Sequence, residues 1–301
     1  MDFFQTPSFL NPGDTVQIIA PSGPFLELSS LEKGIEIWSS KGYDIVLGKS
    51  WNACHGYLAG TDDQRLNDLL EALQNPECKA IMPLRGGYGC VRLFETKQLN
   101  TLLAKHPKWI IGFSDITVLL WKLASINIQS IHGPVLTTLC NEPNWSIERL
   151  FTYIQGSNLP PLKGKGWGGG ISQGILLPAN LTVATHLLGT PLQPSFNGAI
   201  LALEDIGEDP YRIDRILTQW KLMGILHKIH GIVLGSFSQC NTFSKNPSWT
   251  VEEVLRNRLS DLNIPIVSNL PFGHGKVNAI LPVGINVVIN GDQGYLDFAT
   301  C

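Results

Sequence analysis

Apolar and polar positions follow a regular order along the first half of the chain. Short, almost wholly apolar runs are typical of strands that are buried on both faces. Between them lie longer segments whose apolar residues recur every three or four positions, as on a helix with one buried face. The predicted strands are 15–20, 43–47, 79–84, 109–111 and 126–131, and the predicted helices are 30–40, 61–73 and 117–123. Strands that alternate with helices in this way indicate a doubly wound parallel sheet.

The pattern changes near residue 158. Proline and glycine are concentrated in residues 159–173, which predicts a linker. Beyond it, strand-like runs dominate, and one amphipathic helix is predicted over 211–223. These runs are 174–177, 199–204, 231–234, 264–267, 279–282 and 284–289. We therefore predict an α/β protein of two domains, a parallel-sheet domain over 1–158 and a β-rich, barrel-like or sandwich-like α+β domain over 174–301.

Composition narrows the function classes. The chain has 301 residues, of which 44% are hydrophobic and 16% are charged, as in ordinary globular proteins. A net charge of −3 without a basic cluster argues against a nucleic-acid partner. No apolar run reaches the length of a membrane span, and no export signal is recognisable at the N-terminus. We expect a cytoplasmic protein without a membrane partner.

Cysteine and histidine usage predicts neither disulfides nor a metal. The six cysteines are scattered and form no C-x-x-C pair, which favours reduced and mostly buried thiols. The seven histidines do not cluster with carboxylates at metal-ligand spacing. His227 and His230 are three positions apart, where a surface or capping role is expected. No metal and no other cofactor is predicted.

Ser114 is the first candidate for chemistry. The apolar run 109–111 ends in Gly-x-Ser, and a predicted helix begins at Thr117. A serine on such a strand-to-helix turn has its hydroxyl lifted clear of the sheet, and the free N–H groups of the new helix point to the same place. That geometry suits a nucleophile. The alternative is an ordinary helix N-cap serine.

Two further loops leave the carboxyl ends of predicted parallel strands, where ligands bind in such sheets. They are 21–24 and 85–89. In the second loop, Gly86-Gly87-Tyr88-Gly89 offers a backbone with few side chains, which a substrate carbonyl can approach closely without a steric clash. The alternative is a tight turn that needs positive φ. The loop lacks the lysine and spacing of a phosphate-binding P-loop.

A nucleophilic serine needs a base, and the base needs an orienting carboxylate. His274 lies between glycines in a predicted loop, where its ring is accessible; the alternative is a surface turn histidine. Glu204 and Asp205 end an apolar strand. Neighbouring strand residues point to opposite faces of the sheet, so only one of these two acids can orient the histidine. His132, at the end of another predicted strand, is a weaker candidate that could line the pocket.

Taken together, these motifs resemble the LD-carboxypeptidases, a serine-peptidase family that includes muramoyl-tetrapeptide carboxypeptidases and microcin C self-immunity peptidases. The resemblance runs in order from about residue 14 to about residue 290. The motifs are APSGP (20–24), AGTDDQRLNDL (59–69), RGGYG (85–89), GFSDIT (112–117), HGP (132–134), NLT (180–182), LLGTP (187–191), LEDIGEDPYRIDR (203–215) and PFGHG (271–275). One departure is Pro178-Ala179 before Asn180, where the family usually has a glycine pair.

The resemblance implies a Ser–His–Glu triad. Its nucleophile is Ser114, its base is His274 and its orienting acid is Glu204. The backbone N–H groups of Gly87 and Asp115 would bind the oxyanion. The order Ser, Glu, His is also that of α/β-hydrolases, but Ile116 stands where their G-x-S-x-G motif needs its second glycine. Because the two predicted domains supply different members, the site is expected in the cleft between them.

The implied reaction is hydrolysis of the amide between an L- and a D-configured centre, which releases the terminal D-alanine of murein tetrapeptide during cell-wall recycling. Arg85 is the nearest cation to the oxyanion loop and is predicted to bind the free carboxylate of this small peptide. The resemblance also implies a homodimer. Two alternatives stay open. One is an immunity-type peptidase for aminoacyl-nucleotide toxins, with Trp167 as a shelf for the base; the other is a non-catalytic, two-lobed binding protein.

Overall fold

A computed structural model describes residues 4–25, 27–241 and 248–298 of the chain. Its strands are β1 (Thr15–Ile19), β2 (Asp44–Leu47), β3 (Cys78–Pro83), β4 (Trp109–Gly112), β5 (Ser130–His132), β6 (Leu162–Lys163), β7 (Lys165–Gly166), β8 (Ile171–Asn180), β9 (Ile200–Ile206), β10 (Gly231–Ser238), β11 (Ile266–Ser268), β12 (Leu281–Val283), β13 (Asn286–Asn290) and β14 (Tyr295–Phe298). Its α-helices are α1 (Leu28–Ser40), α2 (Asp62–Gln74), α3 (Lys97–Lys105), α4 (Thr117–Ser125), α5 (Leu136–Leu139), α6 (Asn144–Ile154), α7 (Leu181–Leu187), α8 (Pro210–Leu222) and α9 (Val251–Leu259).

The first sheet has the strand order β2-β1-β3-β4-β5-β12, and its first five strands are parallel. Alternate residues of β4 pack into different cores, because successive side chains of a strand point to opposite faces. Trp109 and Ile111 join the core under α1 and α6, and Ile110 joins the core under α2, α3 and α4. Helices thus cover both faces, which confirms the predicted doubly wound sheet.

Local sequence explains where α2 begins. Thr61 is its N-cap, and its side chain accepts a hydrogen bond from the backbone N–H of Gln64. The Gln64 side chain in turn accepts from the backbone N–H of Thr61, at 2.9 Å. This reciprocal capping satisfies two N–H groups that would otherwise lack partners at the helix end. The predicted start of the helix at residue 61 is therefore confirmed to within one residue.

The second sheet has the order β6-β14-β13-β8-β9-β10-β11-β7. The strands β8 to β11 are parallel, and the flanking pairs are antiparallel. Its two edge strands, β6 and β7, are separated in sequence only by Gly164. The edges of the sheet therefore come together, and the sheet is nearly closed, which confirms the barrel-like prediction. A side chain at Gly164 would not fit, since its Cβ would lie 2.2 Å from the Ser268 carbonyl oxygen.

Two features differ from the sequence-based organisation. Residues 159–173, predicted as a linker, supply both edge strands of the second sheet and the first residues of β8. The predicted strand 279–282 forms β12, which pairs antiparallel with β5 at the edge of the first sheet. The chain thus returns to the first sheet after building most of the second. The exact domain limits at 158 and 174 stay a prediction.

The predicted strand over 126–131 is shorter in the structure. It begins at Ser130, because α4 continues to Ser125 and Asn127 then adopts a left-handed backbone conformation with φ of 56°. None of the described helices is long and apolar enough to cross a membrane. The five cysteines in the described part of the chain are all free thiols, and Cys78, Cys90 and Cys240 are buried. Cys301 lies outside the described residues.

Candidate active site

Ser114 lies between β4 and α4, at the start of a short 3-10 turn over Ser114–Ile116. Its φ is 61°, a conformation that a residue with a side chain adopts only when its surroundings enforce it. Its side chain is partly exposed. Ser114 is not the N-cap of α4, which is Ile116.

The loops that follow β1, β3 and β4 converge at Ser114. The Gly23 N–H donates to the Gly86 carbonyl oxygen at 3.1 Å. Gly86 lies directly against Ser114, since a Cβ added to Gly86 would be 3.0 Å from the Ser114 Oγ. Gly87 has a φ of 120°, and its N–H donates to no acceptor among the described residues. A free N–H next to a loop that contacts a partly exposed serine is the arrangement that an oxyanion needs.

The side chain of Asp115 joins the same three loops. One of its carboxylate oxygens accepts from the Ser22 hydroxyl at 2.6 Å and from the Cys90 N–H at 2.8 Å. Burial raises the pKa of Asp115 above its usual value, while these two hydrogen bonds act in the opposite direction. From the sequence, only the backbone N–H of Asp115 was expected at the site. The sequence signal for a role of its side chain is its partner Ser22, the serine of the APSGP motif, which follows a predicted strand.

Glu204 and His274 form the hydrogen-bonded pair of the site. Glu204 has no exposed surface, and its Oε2 lies 2.7 Å from the His274 Nδ1 and 3.0 Å from the His274 backbone N. A carboxylate can only accept, so Nδ1 carries a proton, and in the neutral imidazole the lone pair is on Nε2. The exposed fraction of the His274 side chain is 16%. Its free nitrogen is therefore available as a base.

Asp205 points to the other side of β9. The alternation along the strand explains this: Ile200 and Ala202 face one core, and Leu201 and Leu203 face the other. Its Oδ2 accepts from the backbone N–H of Thr182 at 3.0 Å and from the Thr182 hydroxyl at 2.7 Å, at the first turn of α7. Burial raises the pKa of Asp205.

Asn180 connects the two acids and was missed by the sequence reasoning. Its Nδ2 donates to Glu204 at 3.2 Å and to Asp205 at 3.0 Å, and its Oδ1 caps α7 at the Val183 N–H. An asparagine that stands directly before an apolar helical run, such as Asn180 before Leu181, is a recognisable N-cap signal. Its donation to Glu204 occupies the oxygen that His274 does not use.

A row of rings links the serine loop with the histidine loop. The Phe113 ring lies 4.5 Å from the His274 ring and 6.1 Å from the His132 ring, and His132 also packs edge-to-face on Phe272 at 5.8 Å. His132 is completely buried, and neither ring nitrogen has a partner among the described residues. Burial lowers the pKa of His132 to about 4. The sequence suggested that His132 could line the pocket, but its ring has no exposed surface and packs against Phe113 and Phe272.

A cavity of about 760 Å³ opens beside Gly87. Its walls include the exposed rings of Tyr57 and Tyr88, whose centroids are 5.9 Å apart. Arg85 is half-buried in the wall and donates through Nη1 to the Pro24 carbonyl oxygen at 3.0 Å. No carboxylate of the described residues pairs with this guanidinium. A cation without a counter-charge in a cavity wall favours an anionic ligand.

Other candidate residues lie elsewhere. His227 belongs to a short 3-10 turn, and the His230 Nδ1 lies 3.2 Å from the Gln173 carbonyl oxygen. Trp167 donates from Nε1 to the Ser268 hydroxyl at 2.8 Å, and the Arg256 guanidinium lies 4.3 Å from the centre of its ring system. Within residues 4–25, 27–241 and 248–298, no group of three His, Cys, Asp or Glu side chains could hold a metal ion.

Comparison with known proteins places this geometry in context. Residues 16–133 match the model of the LD-carboxypeptidase N-terminal domain, and residues 173–289 match that of the C-terminal domain. A putative carboxypeptidase of Synechocystis sp. is 52% identical to this chain, and the match covers 98% of this chain and 97% of that protein. The murein tetrapeptide carboxypeptidase of Pseudomonas aeruginosa is 34% identical to this chain, and the match covers 92% of this chain and 94% of that protein. The structure of the microcin C7 self-immunity protein MccF with aspartyl sulfamoyl adenosine has a TM-score of 0.87 and 22% identity, and the match covers 98% of each chain.

Proposed function

Since this chain belongs to the LD-carboxypeptidase family of peptidases, we propose that it is a serine carboxypeptidase that releases the terminal D-alanine of murein tetrapeptide. The observation that carries the proposal is the 2.7 Å contact between Glu204 and the His274 Nδ1. The centre of the His274 ring lies 4.5 Å from that of Phe113, the residue before the partly exposed Ser114. The contact with Glu204 leaves the Nε2 lone pair free in the only tautomer that a carboxylate partner permits. A non-catalytic binding protein would have no use for such a pair.

The proposed reaction proceeds through an acyl-enzyme. The His274 Nε2 takes the Ser114 hydroxyl proton as the serine oxygen attacks the scissile carbonyl carbon. The N–H groups of Gly87 and Asp115 bind the oxyanion that forms. His274 then protonates the leaving D-alanine amine, and the acyl-enzyme is hydrolysed by a water molecule that His274 activates. Glu204 orients the imidazole and stabilises its charged form.

Arg85 is proposed to bind the substrate carboxylate. It lies in the cavity wall together with Gly87, one of the proposed oxyanion donors. With the carboxylate held by Arg85 and the scissile carbonyl held by Gly87 and Asp115, inversion of the last stereocentre misdirects its methyl group or displaces the carbonyl. A displacement of about 1 Å can reduce the rate by ~10². The proposed enzyme therefore distinguishes D-alanine from L-alanine at the C-terminus.

The decisive experiment is mass spectrometry of purified murein tetrapeptide after incubation with the protein. The expected result is tripeptide and free D-alanine, with no release from the same peptide ending in L-alanine. The Ser114→Ala variant is the control. Equal rates on the D- and L-peptides, or faster cleavage of an aminoacyl-adenylate analogue, would favour the immunity-type activity and reject this proposal.

The immunity-type alternative receives less support from the geometry. It relied on Trp167 as a shelf for a nucleobase, but one face of that ring is covered by Arg256 and its N–H is bonded to Ser268. We retain murein tetrapeptide as the substrate. The proposal includes action in the cytoplasm during cell-wall recycling and assembly into a homodimer. Cell fractionation and sedimentation analysis test these two points separately.

A further inference from the structure

The loop that carries His274 is held by a residue from the first half of the chain. Glu142 follows α5, and its two carboxylate oxygens lie 3.1 and 3.0 Å from the backbone N of Asn278. Glu142 is half-buried and forms no ion pair with a cation of the described residues. Both carboxylate oxygens thus lie within hydrogen-bond distance of one backbone N–H of this loop, which takes its acceptor from the first half of the chain.

Asn278 passes this restraint to the residue before His274. Its side chain is buried, with an exposed fraction of 3%, and its Oδ1 accepts from the Gly273 N–H at 2.8 Å. The assignment of the amide atoms is unambiguous, because an N–H donor requires the oxygen and not the nitrogen. Gly273 is thus hydrogen-bonded on one side to a side chain that has little room to move.

Gly273 is confined on its other side by Glu204. A Cβ at Gly273 would lie 2.5 Å from the Glu204 Cβ, and the φ of Gly273 is 92°. The next N–H, that of His274, donates to the Glu204 Oε2. Two successive N–H groups are therefore bound, one by Asn278 and one by Glu204. Together they fix the backbone from which the imidazole projects toward the Ser114 loop.

We propose that Glu142 and Asn278 are positioning residues that set the His274 ring against Ser114. Glu142 precedes α6 in the half of the chain that carries Ser114, and Asn278 lies in the loop that carries His274. The Glu142–Asn278 contact therefore joins the His274 loop to the half of the chain that carries Ser114. This inference rests on the proposed Ser–His–Glu triad.

The test measures inactivation of the full-length protein by a fluorophosphonate, which reports serine activation without assuming a peptide substrate. The variants are Asn278→Ala, Glu142→Ala and Glu142→Gln. Glu148→Gln is the surface control, because Glu148 is an exposed carboxylate that pairs with Lys41. Asn278→Ala and Glu142→Ala are expected to lower the inactivation rate by about 10- to 100-fold, as for a misplaced reacting group. With murein tetrapeptide as substrate, kcat is expected to fall by a similar factor with little change in KM. Glu142→Gln retains an acceptor oxygen and is expected to recover most of the rate.

Thermal unfolding of each variant distinguishes a loss of positioning from a loss of structure. If Asn278→Ala does not fold, the comparison of Glu142→Ala with Glu142→Gln decides the question. Wild-type inactivation rates in folded Asn278→Ala and Glu142→Ala would overturn this inference and leave the triad intact. So would equal losses in Glu142→Ala and Glu142→Gln. A wild-type protein that does not react at Ser114, with Ser114→Ala as reference, would overturn the triad and the positioning role together.

Discussion

The Glu204 Oε2 accepts two hydrogen bonds from His274, one from the ring Nδ1 at 2.7 Å and one from the backbone N at 3.0 Å. The two residues are 70 positions apart in the chain. Because one carboxylate oxygen binds both the ring and the backbone, the orientation of the imidazole is restrained at two points. Glu204 is completely buried, so water does not compete for this oxygen.

The first prediction concerns the triad. Ser114→Ala, His274→Ala and Glu204→Ala are each expected to remove most turnover while the protein stays folded. Loss of a triad member typically lowers kcat by ~10⁴ to 10⁶, and loss of the carboxylate can cost less. The measurement is kcat on murein tetrapeptide, with circular dichroism as the folding control. A near-normal kcat of Glu204→Ala would mean that Asp205 orients the histidine instead, or that the proposed triad is wrong.

The second prediction separates Asp205 from Glu204. Asp205→Ala leaves the Thr182 N–H and hydroxyl without their acceptor at the start of α7. Each buried polar group left unpaired costs about 1–3 kcal/mol. The variant is expected to unfold at lower urea concentration than the wild type, with a smaller effect on kcat than Glu204→Ala. Asp44→Ala, at an exposed position, is the matched control. Unchanged stability of Asp205→Ala would contradict this assignment.

The third prediction concerns pH. Burial holds the pKa of His132 at about 4, below its usual 6.5, so the folded protein keeps it neutral while the unfolded chain takes up a proton below about pH 6.5. Its neutral form therefore contributes stability that is present above about pH 6.5 and is lost as the pH falls toward 4. The full difference corresponds to about 3 kcal/mol. His132→Leu is expected to flatten the fall in the free energy of unfolding between these pH values.

Urea unfolding of wild type and His132→Leu at several pH values checks this. Glu204 raises the pKa of His132 and His274 lowers it, both less strongly than burial acts. Repeating the comparison in a Glu204→Gln background shows how far the Glu204 charge contributes. Parallel stability curves for wild type and His132→Leu would refute a titrating role for this ring.

The fourth prediction concerns Arg85. If its guanidinium binds the substrate carboxylate, Arg85→Ala raises KM for the free-acid peptide more than for the C-terminal amide. A hydrogen bond to a charged group is worth about 1.5–3 kcal/mol, so the expected ratio is roughly 10- to 100-fold. Steady-state kinetics with both peptides measure it. Arg92→Ala is the control, because Arg92 is already paired with Asp62. If KM rises equally for the free-acid and the amide peptide, Arg85 only supports the loop at Pro24 through its hydrogen bond and does not bind the substrate carboxylate.

The fifth prediction is that EDTA leaves activity unchanged. The proposed reaction uses side chains and backbone N–H groups as its only catalysts. The measurement is kcat/KM before and after dialysis against the chelator. Inactivation by EDTA that zinc reverses would replace the triad mechanism with metal-assisted hydrolysis.

The sequence by itself determined several elements of the fold and the family. Apolar runs located β1 to β4, and the capping residues around Thr61 located α2, because these signals depend on neighbours within a few positions. The glycine-rich loops and the Gly-x-Ser turn were recognisable for the same reason. Each motif reports a local backbone requirement, and their order along the chain identified the LD-carboxypeptidase family.

The tertiary structure decided which residues meet. Residues 159–173 look like a linker because they are rich in glycine, yet they close the second sheet by pairing with β11 and β14. Strand alternation separates Glu204 from Asp205, but only the packing of the His274 loop shows which acid meets the histidine. Asn180, the Asp115 carboxylate and Glu142 also act through partners far away in sequence. Such contacts depend on how the two sheets pack together, and no local pattern of residues encodes that.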